Sequence, residues 1–225
     1  MVSLLWLIPA LPFASAAALI LFGSRLSRRA AAALGVGSIG LSALVTILVA
    51  TGFFIAPPSG NSYTQVLWTW INVAGFQPQI GFYLDALSLV MVLVVTCVGF
   101  LIHIYSVEFM TDDDGFSRFF AYMNLFVASM ITLLLANNLL LLILGWEGVG
   151  LCSYLLIGFW YREPANGLAA RKAFIVTRVG DTHCWWVCIS CSPAWARSRF
   201  RILCSVFLNS GTRDPRSRSR WPCFS

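Results

Sequence analysis

The chain has 225 residues, of which 59% are hydrophobic and only 11% charged, and its mean hydropathy is +0.80. That composition excludes a soluble globular domain and describes an all-α, polytopic transmembrane protein. The formal net charge of +6 is not spread evenly: eight cations and eight anions cancel over residues 1–181, and the whole excess falls in residues 182–225.

Six apolar segments follow one another. The first, about 2–22, begins Met1-Val-Ser-Leu-Leu-Trp with no basic residues ahead of it, so a retained helix is expected rather than a cleaved signal peptide. Pro9 and Pro12 lie inside it and predict a local kink. The second runs 30–55. Residues 56–81 hold Pro57-Pro58-Ser-Gly-Asn-Ser with Trp68, Trp70 and Phe76, and read as an external loop lying along the membrane interface. The next three segments run 82–104, 117–136 and 138–160, and a sixth starts near 169. At a rise of about 1.5 Å per residue, each of the first five can cross about 30 Å of hydrocarbon. The chain therefore divides into two helices (1–55), the loop (56–81), four further helices (82–181) and a tail (182–225) rich in Arg, Ser, Cys and Trp.

The loops predict an orientation. Arg25, Arg28, Arg29, Arg118, Arg162, Arg171 and Lys172 all belong to 23–29, 105–117 with its edge, or 161–172. The N-terminus, 56–81 and the Asn137-Asn138 turn carry no basic residue. By the positive-inside rule the N-terminus faces out.

Glu147 is the only charged residue between Asn138 and Trp160. A carboxylate at mid-membrane costs about 2.5–3.5 kcal/mol on insertion scales, so such residues usually move charge or protons. Gly150, Leu151, Tyr154 and Gly158 share its helical face. The glycines let another helix approach, and Tyr154 can hydrogen-bond to the carboxyl group or to water. Glu147 reads as a proton relay, against the plainer role of a buried hydrogen-bonding group. Arg178 and Asp181 stand three apart on the sixth helix and are expected to form an ion pair, with Arg171 on the same face. That pair either polarises Glu147 or is structural, near the membrane boundary.

Other candidates carry less. Asp85 reads as a helix-start carboxylate facing the positive end of the dipole. His103 reads as an anchor near an inner helix end, and Asp112-Asp113-Asp114 as a solvated loop. His183, Cys184, Cys188 and Cys191 do not form a clean zinc pattern, so no metal is assigned. The basic stretch Arg213 to Arg220 could attract any polyanion by charge, and no nucleic-acid partner is assigned on that ground.

Four stretches carry a family resemblance: Gly81 to Ser106, Arg118 to Phe126, the block Gly145-Trp-Glu-Gly-Val-Gly-Leu-Cys-Ser-Tyr-Leu-Leu-Ile-Gly-Phe-Trp160, and Ala170 to Asp181. Residues 1–181 resemble the N-terminal part of the antiporter-like subunit L of bacterial proton-pumping NADH:quinone oxidoreductase (respiratory complex I), whose mitochondrial counterpart is subunit 5. The resemblance implies the start of an antiporter-like helical module. It makes Glu147 the family's essential intramembrane glutamate and places Arg178 and Asp181 in the charged set of the first half-channel. It implies no cofactor bound by this chain, with NADH and quinone used elsewhere in the complex. It implies other membrane-arm subunits and the lipid bilayer as partners, and the bacterial inner membrane as location. After Asp181 the chain departs from the family, which continues with further helices and a buried lysine. Lys172, the only lysine here, lies in an inner loop, so the expected lysine partner of Glu147 is missing. The tail resembles a GC-rich gene read in a shifted frame, and the expectation is a truncated subunit, inactive alone. Two alternatives stand beside this: a subunit of a multi-subunit sodium–proton antiporter, and a small membrane protein whose tail binds zinc or anionic lipid.

Overall fold

In a computed structural model of the protein, residues 2–23, 25–55, 62–69 and 79–190 are described. A short 3-10 turn (Val2–Leu4) leads into α1 (Leu7–Phe22), followed by α2 (Arg28–Ile55), β1 (Ser62–Thr69), β2 (Gln79–Asp85), α3 (Ala86–Phe109), α4 (Phe116–Leu134), α5 (Leu139–Ile157) and α6 (Pro164–Ser190). Among the described residues, α2, α3, α4 and α5 are long and apolar enough to cross a membrane. At 16 residues α1 is shorter than the span expected for it, because the preceding turn is not α-helical.

The helix α1 continues through both prolines. Pro9 sits in the first turn, where its missing N–H would have no helical partner anyway. Pro12 cannot donate to the carbonyl of Ile8, four residues back. The Ser42 hydroxyl, fully buried on α2, donates to that carbonyl instead at 2.8 Å. A cross-helix bond thus satisfies the acceptor that Pro12 orphans.

Within the expected loop 56–81 the structure holds a strand, and a second strand replaces the expected start of the third helix at 82. β1 and β2 pair antiparallel, with a bulge between Val66 and Trp68. The helix starts only after Asp85, whose carboxylate accepts the Ser88 backbone N–H at 2.7 Å. The turn between α4 and α5 is sewn to this hairpin: Tyr83 N–H donates to Leu135 O (2.8 Å), and Asn137 N–H to Gly81 O (3.3 Å). Gly81 is required there, since a Cβ would lie 2.5 Å from Asn137 Nδ2 and 2.8 Å from Gln65 O. Asn138 caps α5 by accepting from Leu141 N–H (2.8 Å).

At the opposite end the three basic loops gather. Arg28 donates to Thr111 O, and Arg118 lies 5.0 Å from the Phe159 ring and 5.1 Å from the Tyr161 ring. Trp160 Nε1 donates to Asp113 Oδ2 at 2.8 Å. That indole bond, then the Gly115 N–H, hold the Asp113 carboxyl below the usual carboxylate range. Asp113 is thus a tether between loops, whereas the acidic run was expected to be merely solvated.

Helix α4 is central and packs against α1, α2, α3 and α5, while α6 packs on α5. One buried cluster includes Ile39, Val49, Leu89, Val92, Val127 and Ile131; another surrounds Phe116 and Phe120. The outer face of α3 exposes Leu87, Val90, Met91, Val94, Val98 and Leu101, a stripe at helical spacing suited to lipid. Helix α6 runs without interruption across Asp181 and Thr182, so the change of composition there is not a break in the backbone. Residues 191–225, with the Arg213 to Arg220 stretch, and the side chains of His183, Cys184, Cys188 and Cys191 lie outside the described residues, as do Trp70 and Phe76.

Candidate functional site

The site is made by α5 lying against α6. Two glycines seat α5 on α4. A Cβ on Gly145 would fall 2.7 Å from Leu133 N and 2.9 Å from its Cα, and one on Gly148 would fall 2.7 Å from Ser129 Oγ. On the face shared with Glu147, Gly158 is also a close-approach glycine, since a Cβ there would lie 3.3 Å from Ala170 Cβ of α6, whereas Gly150 is not. A Cβ on Gly150 would have its nearest neighbour, Arg178 Nη2, at 3.7 Å.

Glu147 is three-quarters buried and forms an ion pair with Arg178 through Oε2 and Nη1. The same guanidinium donates from Nη2 to the Glu147 carbonyl at 3.3 Å, so it holds both side chain and backbone of that residue. Its other side is covered by Phe174, one turn back on α6, with Cζ 4.5 Å from the ring centre. An opposite charge and a π face are what a partly buried guanidinium needs.

The expected Arg178–Asp181 pair is not what the structure shows. Asp181 Oδ1 accepts from the indole of Trp146 at 2.8 Å. Adjacent residues of α5, Trp146 and Glu147, therefore hold two residues of α6 that stand one turn apart. The reason is geometric: an ion pair within α6 would leave Glu147 uncompensated, whereas the cross-brace satisfies both carboxylates. Tyr154 does not reach Glu147 either. Its ring packs at 5.3 Å on Phe174, and no hydrogen bond joins it to the carboxylate among the described residues. Arg171 is exposed.

Asp85 is the cap of α3, as expected. His103 is not an anchor at a helix end: α3 continues to Phe109, and the imidazole is fully buried. The roles of Trp146 and Phe174 were not anticipated. The one signal available was their position, beside Glu147 and one turn before Arg178. Among the described residues no cluster of three or more His, Cys, Asp or Glu could hold a metal.

Four membrane-length helices among the described residues, with α5 tied to α6 through the Glu147–Arg178 pair, make a multi-pass helical membrane protein. Residues 70–120 match the family described as NADH-Ubiquinone oxidoreductase (complex I), chain 5 N-terminus, and residues 136–203 match NADH:quinone oxidoreductase/Mrp antiporter, TM. The second match crosses the compositional change at 182. The chain is 58% identical over 157 residues to NADH-quinone oxidoreductase subunit L of Escherichia coli (strain K12), covering 70% of this chain and 25% of the relative. It is 46% identical over 182 residues to subunit L of Mycobacterium tuberculosis (strain H37Rv), covering 78% and 28%. A solved Mrp complex from Dietzia sp. DQ12-45-1b superposes with a TM-score of 0.63 at 27% identity, covering 78% of this chain and 18% of that one. Through its matched residues the chain belongs to the subunit L family, and it spans about a quarter of the length of the curated relatives it matches.

Proposed function

We propose that this chain supplies the first charged step of a proton path in the membrane arm of a proton-translocating NADH:quinone oxidoreductase. The Glu147–Arg178 pair carries the reading. Arg178 supplies the counter-charge of Glu147 in an apolar setting, where an ionisable side chain is the natural carrier of charge or protons. The lysine expected from the family is not needed for this first interaction, because Arg178 occupies the position of the counter-charge. NADH and quinone act elsewhere in such an assembly, and this chain binds no redox group of its own. Its partners are the neighbouring membrane-arm subunits and the lipids of the bacterial inner membrane, with the N-terminus outside.

The test is Glu147→Gln in a full-length version of the subunit. Gln keeps the volume but exchanges no proton. NADH-driven proton uptake in membrane vesicles should fall at least tenfold while the complex still assembles. Normal uptake by an assembled complex would refute the relay.

A second reading, a subunit of a multi-subunit cation/proton antiporter, is favoured by the structural similarity to the Mrp complex. It predicts sodium-dependent exchange without NADH in the same vesicles.

A further inference from the structure

His103 lies on α3 where that helix meets α2 and α4, and the residue is 0% exposed. Its Nδ1 is 2.7 Å from the carbonyl oxygen of Gly99. A carbonyl can only accept, so Nδ1 carries the hydrogen and Nε2 of the neutral ring is an acceptor. Nε2 is buried and has no hydrogen-bond partner among the described residues. Buried polar atoms are nearly always paired, with protein or with ordered water. A phenyl ring would fill this place without that demand, so the imidazole calls for a donor.

The surroundings are polar enough to hold one. The ring lies 6.1 Å from that of Phe120 on α4. One turn further along α4, Asn124 donates from Nδ2 to Phe120 O at 2.9 Å, which fixes its amide. Asn124 Oδ1 then faces the Ser38 hydroxyl of α2 at 2.7 Å. Both residues of this pair keep a lone pair for another donor. Packing is not tight at Gly99, one turn before His103: a Cβ there would be 3.6 Å from Val127 Cγ2 and 4.0 Å from Ile39 Cγ2, ordinary contact distances.

We propose that the α2–α3–α4 junction is an internal water site, in which one water donates one hydrogen to Nε2 of His103 and the other to the Ser38–Asn124 pair. Water suits both ends because each presents an acceptor, and a single molecule carries two donors. The site lies away from α6 and does not depend on the role of Glu147.

Only two histidines occur in the chain, His103 and His183, so His183→Gln leaves a single reporter. The full 225-residue chain with that substitution, labelled with nitrogen-15 histidine and placed in lipid bilayers, is examined by solid-state NMR. A protonated Nδ1, a bare Nε2 and magnetisation transfer from water to Nε2 are expected. Transfer should drop several-fold on Asn124→Leu while the ring keeps its tautomer. Absence of transfer to Nε2, a protonated Nε2 with a bare Nδ1, or a mixture of tautomers would overturn the proposal. Full transfer in Asn124→Leu would overturn the bridge to α2 and α4.

Discussion

Arg178 has two carboxylates within reach of its own turn of helix and the next helix, and the structure gives it to Glu147. Asp181 is taken by Trp146. Energetic coupling should follow that geometry. In a double-mutant cycle on the thermal stability of the solubilised chain, Glu147→Gln and Arg178→Gln should couple by about 0.5–3 kcal/mol. Arg178→Gln and Asp181→Asn should be close to additive, because the indole bond to residue 181 survives as Asn. Larger coupling within α6 than across α5 and α6 would restore the pairing expected from spacing. Glu147 itself was legible in the sequence, since one acid among apolar residues from Asn138 to Trp160 needs no structure to be noticed. Its partner was not. Residues three apart on a helix can always meet, so spacing favours Asp181 for Arg178. Only the packing of α6 on α5, close where Gly158 meets Ala170, brings Glu147 to that guanidinium.

The seating of α5 is an element-scale property, and Gly145 controls it. A Cβ at that position meets the backbone of Leu133, which cannot swing away as a flexible side chain would. Gly145→Ala should therefore push α5 from α4 and lower stability by about 1–3 kcal/mol, the usual range for overpacking. Gly150→Ala should be tolerated, with its nearest neighbour at 3.7 Å. Thermal unfolding of both variants in detergent checks the contrast, and equal effects would count against it. Helix positions were readable because long apolar runs leave few alternatives. The hairpin was not, because β1 and β2 lie in a segment whose tryptophans and prolines also suit an interfacial loop. Their pairing is fixed partly by the distant turn after α4, through Tyr83 and Asn137, which no local pattern reports. The same holds for α1, where the carbonyl that Pro12 frees is served by Ser42 on another helix, which no local pattern reports.

For the whole molecule, the alternation of helices sorts the loops into two ends. The loops around Arg25, Arg118 and Arg162 share one end, tied by Arg28 to Thr111 and by Trp160 to Asp113. The hairpin and the α4–α5 turn share the other, and they hold no basic residue. A bilayer with its potential negative inside retains arginine-rich loops on the inner side, so the hairpin end is expected outside. Replacing the seven native cysteines and introducing Ser27→Cys or Thr64→Cys gives a reporter at each end. Thr64 lies on the hairpin with its side chain exposed. A membrane-impermeant thiol reagent added to intact cells should label Thr64→Cys and should reach Ser27→Cys only after the membrane is opened. Labelling of Ser27→Cys in intact cells would invert the orientation and with it the side from which Glu147 is protonated. Equal labelling at both positions would indicate two populations of opposite topology, which the one-sided placement of the seven basic residues in the loops before α6 and at its start argues against.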